Sequence, residues 1–87
     1  MKAFVAFLNR LDEEKSARFR EEHLNYLRES KEKGNIWAYG RFEDGSGGMV
    51  IYRAKTAEEA ESLAKSDPYI KKGARRLEIR EWAMVTD

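Results

Sequence analysis

The 87-residue chain has no cysteine, one histidine and one proline. Without cysteine there can be no disulfide, no thiolate metal site and no cysteine nucleophile. A single histidine excludes a histidine-rich metal centre, so the expectation is a site that works without metal or cofactor. No apolar run approaches the roughly 20 residues of a membrane span. The opening run from Met1 to Leu8 stops at Asn9 with no small-residue cleavage site after it, and reads as a strand rather than a leader. An excess of one charge is missing too. Seventeen basic side chains face sixteen acidic ones, interleaved along the chain, whereas a nucleic-acid binder carries a basic excess or stripe. What remains is one domain over residues 1–87, since the length allows a single hydrophobic core, in an expected cytoplasmic protein that binds neither membrane nor nucleic acid.

Hydrophobic patterning then orders the chain. Lys2 to Asn9 is apolar on both pleat faces, with Ala3, Val5 and Phe7 on one side and Phe4, Ala6 and Leu8 on the other, which marks a central strand. Asp12, Glu13 and Glu14 place negative charge where a helix N-terminus favours it, and the pattern predicts one helix from there to about Lys33, stopped by Gly34. Its inward stripe holds Phe19, His23, Tyr26 and Leu27, flanked by Arg20, Leu24 and Ser30. Asn35–Phe42 and Met49–Ala54 read as a hairpin of two strands around Glu43–Gly48, a connection whose Asp44–Gly48 part is expected to be among the most mobile. Thr56 and Glu59 form a capping box for a second helix, which shows Ala60, Leu63, Ala64 and Asp67 on one face before Pro68 stops it. Arg75–Val85 supplies a last strand.

The order is β-α-β-β-α-β, an α+β ferredoxin-like unit with a four-stranded antiparallel sheet and its first and third strands in the centre. Both helices pack on one face. The other face, expected to carry Trp37, Tyr39, Phe4 or their pleat neighbours, has nothing left to cover it. An open apolar face of that size calls for a partner, and a second copy related by a two-fold axis is the economical one.

His23 and Asp67 are the one pair suited to proton transfer. An imidazole can give or take a proton near neutral pH, and a carboxylate beside it fixes which ring nitrogen faces outward. The competing reading is a core-edge histidine with satisfied hydrogen bonds and an aspartate that only helps end a helix. Arg20, a helix neighbour of His23, either clamps an anionic group with its planar fork or pairs with a glutamate on a solvated face. Asp44-Gly45-Ser46-Gly47-Gly48 lies between strands with no helix after it, so it is a hairpin connection, not a phosphate loop, though one able to lie over a pocket. Arg20, Tyr69 and Asp44 complete the set as candidate substrate-binding residues. Trp37, Tyr39, Tyr52 and Trp82 interleaved with arginines offer a remote RNA-binding alternative, weakened because Gly48–Tyr52 lacks the aromatic signature of such sheets.

Arg20-x-x-His23-Leu24-x-x-Leu27, Gly34 and Gly40, the Asp44-Gly45 loop, Asp67-Pro68-Tyr69, Gly73 and a last strand reaching Trp82 together resemble the YciI-like (YCII-related) family over nearly the whole chain. The resemblance implies a ferredoxin-like homodimer forming an α/β barrel, with His23 and Asp67 as the active-site pair and Arg20 beside it. It implies lyase-like or dehalogenase-like chemistry, hence proton transfer on a small anionic or aromatic metabolite; the alternative is a metabolite-binding module without catalysis. Two positions depart from the family pattern: Arg41 stands where a proline follows the second-strand glycine, and Glu81 where a proline precedes the last tryptophan.

Overall fold

The strand that is apolar on both faces sets the architecture. In the computed structural model, which describes residues 1–85, β1 (Lys2–Arg10) lies inside a four-stranded sheet between β3 (Gly47–Ala54) and β4 (Arg75–Trp82), with β2 (Ile36–Arg41) on the outer side of β3. Every neighbouring pair is antiparallel. The central placement of the first and third strands and the α+β class agree with the sequence reading.

The helices α2 (Arg20–Glu32), α3 (Ala57–Lys65) and the one-turn α4 (Pro68–Lys71) pack onto one face of the sheet. Between them and the sheet lies the main core, built from Phe4, Ala6 and Leu8 of β1, Ile36 of β2, Val50, Tyr52 and Ala54 of β3, Leu27 of α2, and Ala60 and Ala64 of α3. The Tyr26 hydroxyl donates to the Leu63 carbonyl at 2.6 Å and so ties α2 to α3. The Tyr52 hydroxyl is buried without a hydrogen-bond partner among the described residues, and burial drives its pKa far above the ordinary 10.0.

The predicted single helix is two. α1 (Glu13–Arg18) is capped by Asp12, whose carboxylate accepts from Lys15 N at 3.0 Å, and the chain turns at Phe19 (φ −102, ψ 11) before α2 begins. The two pieces are held by different parts of the fold. Ser16 in α1 is buried and its carbonyl accepts from the Tyr69 hydroxyl, while Asp12 N donates to the Ala74 carbonyl; α2 packs on β2. The break leaves Arg20 and His23 in the first turn of a separately aimed helix.

The second sheet face carries a smaller cluster of Ala3, Val5 and Ile51, with Phe7 and Met49 packed beside it. Phe4 is not on it; it belongs to the core under the helices. A β-bulge between Ile36 and Ala38 moves Trp37 out of register and brings Tyr39 opposite Val50, on the helix side, because one extra residue reverses which face the following side chains occupy. The face is not wholly uncovered either, since Met84 from the segment after β4 packs against it. β4 ends at Trp82 rather than Val85. Trp82 pairs with Ala3, and beyond it only Lys2 of β1 remains.

The β2–β3 connection is shorter than expected, since β3 begins at Gly47 rather than Met49. Phe42 N donates to the Gly47 carbonyl at 2.9 Å, Gly45 N to the Phe42 carbonyl at 3.1 Å and Arg10 N to the Ser46 carbonyl at 3.1 Å, so the turn is tied to the end of β1. Gly47 and Gly48 are buried strand residues opposite Asn9 and Leu8. No helix among the described residues is long and apolar enough to cross a membrane.

Candidate active site

Asp67 follows the C-cap of α3, Ser66, and is itself the N-cap of α4. Proline at the next position fits the first turn of a helix, where its missing N–H would have no partner, and the Asp67 carboxylate caps that turn by accepting from Tyr69 N at 2.9 Å. The same oxygen, Oδ1, lies 2.8 Å from His23 Nδ1, across 44 residues of sequence. Asp67 is fully buried and the His23 side chain is 9% exposed. These positions define the tautomer. A carboxylate only accepts, and Oδ1 already receives one backbone N–H, so Nδ1 carries a proton and donates it. In the neutral ring Nε2 then holds the lone pair, and His23 lines the cleft.

Tyr69 fixes the plane of the imidazole. Its ring stacks on His23 with centroids 3.8 Å apart and 7° between planes. Its hydroxyl donates to the Ser16 carbonyl at 2.9 Å, so Tyr69 presents to the cleft a ring rather than an acid. Burial raises the phenol's pKa, and the guanidinium groups of Arg75 and Arg20 partly offset it.

Arg75 completes a column. Its guanidinium carbon sits 4.9 Å from the Tyr69 ring centroid, within cation–π range. Nε donates to Ser16 Oγ at 2.9 Å and Nη1 to the Leu8 carbonyl at 3.4 Å. Arg75, Tyr69, His23 and Asp67 are thus held in one connected array by α1, α2, α4, β1 and β4.

The cleft in front of this array has a volume of about 220 Å³ and lies between α2 and the β1–β3–β2 part of the sheet. Arg20, His23 and Tyr69, all singled out in the sequence, line it together; Asp67 stands behind His23. Asp44 is not brought there. It is exposed at the hairpin turn, where its carboxylate accepts from Ser46 N at 2.9 Å, and its hydrogen bonds with Ser46 hold its pKa below the usual carboxylate value. Sequence reasoning missed Arg75 and Tyr39 as cleft residues: the first is an ordinary strand-initial arginine until Ser16 and Tyr69 are placed around it, and the second faces the helices only because of the bulge. The exposed-platform reading of the aromatic residues loses Tyr52, which is completely buried under the helices.

Comparisons with known proteins give the family and the fold. The model of the YCII-related domain matches residues 2–83. A curated relative, the "Uncharacterized protein YjpA" of Bacillus subtilis (strain 168), is 29% identical over 62 residues, covering 71% of this chain and 73% of that protein. Among solved structures, 5-chloro-2-hydroxyhydroquinone dehydrochlorinase (TftG) from Burkholderia phenoliruptrix AC1100, in complex with 2,5-dihydroxybenzoquinone, superimposes with a TM-score of 0.76 over 92% of each chain, at 21% identity.

Proposed function

The chain belongs to the YCII-related domain family, and from that premise and the geometry of its cleft we propose that it is a small-molecule enzyme that moves a proton with a His23–Asp67 pair. The observation that carries this reading is the buried 2.8 Å contact between His23 Nδ1 and Asp67 Oδ1, with the other ring nitrogen left for a cleft lined by arginine. In this mechanism Nε2 takes a proton from an acidic C–H or O–H of the bound substrate. Asp67 stabilises the imidazolium that forms and prevents the ring from turning. The electron pair released onto the substrate oxygen is held by Arg20 and Arg75, which face developing negative charge without having to move toward it.

From that enolate or phenolate, two outcomes use the same groups. A leaving group departs with an electron pair, which completes an elimination, or the imidazolium returns its proton to a different atom, which completes an isomerisation. The structural neighbour is a dehydrochlorinase, and an elimination of that class requires this kind of proton removal. That likeness supports the class of reaction; the substrate is proposed only as a small anionic or aromatic metabolite.

The test is a screen in D₂O of hydroxylated and chlorinated hydroquinones and enolisable carboxylates, read by NMR. The expected result is loss of a leaving group, or uptake of solvent deuterium, in at least one compound. If the folded protein binds members of the panel in the cleft and changes none of them, the binding-module reading replaces the enzyme.

We further propose that two copies pair through the sheet face of Ala3, Val5, Phe7, Met49 and Ile51. The helices cover the opposite face, and Trp82, 44% exposed, sits at the edge of this one opposite Ala3. Sedimentation at low micromolar concentration should give twice the chain mass; a monomer there removes the dimer and the barrel with it.

A further inference from the structure

We propose that the cleft takes a planar ligand carrying two negative charges at opposite ends, one held beside His23 by Arg75 and Arg20 and the other at the rim by Arg41. The proposal rests on the reading of this cleft as the substrate site and specifies the ligand's charge pattern.

Three arginines line the cleft, Arg20, Arg41 and Arg75, and among the described residues no carboxylate does. In a chain with seventeen basic and sixteen acidic side chains, that local imbalance is not what the average surface would supply. Nor is the charge cancelled from nearby. The ion pairs among the described residues involve Lys2, Arg10, Arg18, Lys65 and His23, and none of the three cleft arginines. Three guanidinium groups around one depression repel one another, and an anion relieves that repulsion as well as making its own contacts.

The sheet register spaces them. Arg41 of β2 pairs with Gly48 of β3, and Gly48 pairs with Leu8 of β1, so the three lie along one rung. The Leu8 carbonyl accepts from Arg75 Nη1, which brings that guanidinium to the far end of the same rung. Two strand spacings, about 9–10 Å, therefore separate the Arg41 backbone from the carbonyl that holds Arg75. The residue between them is glycine. No side chain rises from the middle of the rung, so the floor between the two cations is bare. Above and beside that floor the lining is flat or apolar: Tyr69, Tyr39, Leu24 and Leu27. A small planar body with an anionic group at each end matches the charge, the spacing and the walls.

The two cations differ in how they are held. Arg75 is fixed by Ser16, Leu8 and Tyr69, whereas Arg41 is exposed at the end of β2. Arg75 therefore suits the group next to the reacting atoms, and Arg41 selects for a second charge at the mouth.

Titration calorimetry at low salt with benzoate and with terephthalate, which differ by one carboxylate across the ring, tests this directly, with the NMR signals of the single histidine reporting where each probe binds. Terephthalate should bind at least about tenfold tighter than benzoate, which corresponds to roughly 1.4 kcal/mol. Arg41→Gln should abolish the preference for terephthalate while weakening benzoate far less, and Arg41→Lys should retain part of the preference. The wild-type preference should also shrink as salt is added, a readout that needs no variant. Equal affinities, a preference that survives Arg41→Gln, or binding that leaves the His23 signals unmoved each overturn the proposal. Its failure is separable from that of the acid–base reading: turnover of singly charged compounds with no preference for the dianion ends only this inference, and a clear preference with no turnover of any compound ends only the catalytic one.

Discussion

Asp67→Asn is expected to lose about 10²–10⁴-fold in turnover while keeping the fold. Asparagine serves well as a helix N-cap, so α4 still forms, although the one oxygen Oδ1 serves both Tyr69 N and His23, and an amide that turns its NH₂ to the ring gives up the bond from Tyr69 N. What changes is the logic at Nδ1. A carboxylate can only accept, so it requires Nδ1–H and leaves Nε2 bare; an amide can turn its NH₂ toward Nδ1 and let Nε2 carry the proton instead. In that tautomer the nitrogen left for the cleft is no longer a base. The imidazolium formed during catalysis also loses the negative charge beside it. With a single histidine in the chain, both states are visible without ambiguity in the ¹⁵N spectrum of the imidazole. The wild-type protein should show protonated Nδ1, and the Asp67→Asn protein a shift toward protonated Nε2. His23→Gln should cost a similar factor, and the double variant little more than either alone, because the two residues act as one unit. Full activity in the Asp67→Asn protein would remove the pair from the mechanism.

How far this site could be read from the chain depends on the range of the forces that build it. β1 declared its central position because an apolar residue at every step is unsuited to a strand with a wet face, and burial on both sides needs no knowledge of the partner. His23 and Asp67 stood out for a similar reason, as polar groups on otherwise apolar stripes, and the helices' packing on one sheet face brings them to 2.8 Å. The misses come from contacts that no local pattern encodes. Nothing at Phe19, neither glycine nor proline, marks the break between α1 and α2; the tethers of Ser16 and Asp12 to residues near position 70 do that. The bulge at Trp37 shifts Tyr39 from the open face to the cleft through one unpaired residue. Asp44 sits in a loop that was expected to be able to reach a pocket, but the hydrogen bond from Ser46 N and the bond from Arg10 N to the Ser46 carbonyl hold that loop against β1 instead. Arg75 acquires its meaning only when Ser16, Tyr69 and Leu8, from three other elements, surround it.

The glycines after Asp44 give the second large effect. They resemble a slack connection, yet Gly47→Ala is expected to destabilise the protein by about 2–4 kcal/mol. Gly47 has φ +153, and a Cβ there would lie 2.3 Å from the Leu8 carbonyl oxygen, a backbone atom that cannot swing aside. Relief requires β3 to separate from β1 where Gly47 and Asn9 pair, at one end of the central strand pair. The Leu8 carbonyl is also the acceptor for Arg75 Nη1, so the same displacement reaches the column of Arg75, Tyr69 and His23. Gly45→Ala is the control. Its φ of +75 is also unfavourable for alanine, but the nearest atom to a new Cβ is the tip of the Arg10 side chain at 3.6 Å, which can move. That substitution should cost only about 1–2 kcal/mol and leave the cleft alone. In a domain of this size each kcal/mol lowers Tm by roughly 4–8 °C, so thermal melts resolve the two variants readily. The decisive comparison joins stability to the site: Gly47→Ala should shift the His23 imidazole signals and weaken anion binding below its melting range, whereas Gly45→Ala should do neither. Equal melting losses with undisturbed His23 signals in both variants would mean that the hairpin is the slack connection it resembles, and that the rung from Arg41 to Leu8 does not position Arg75.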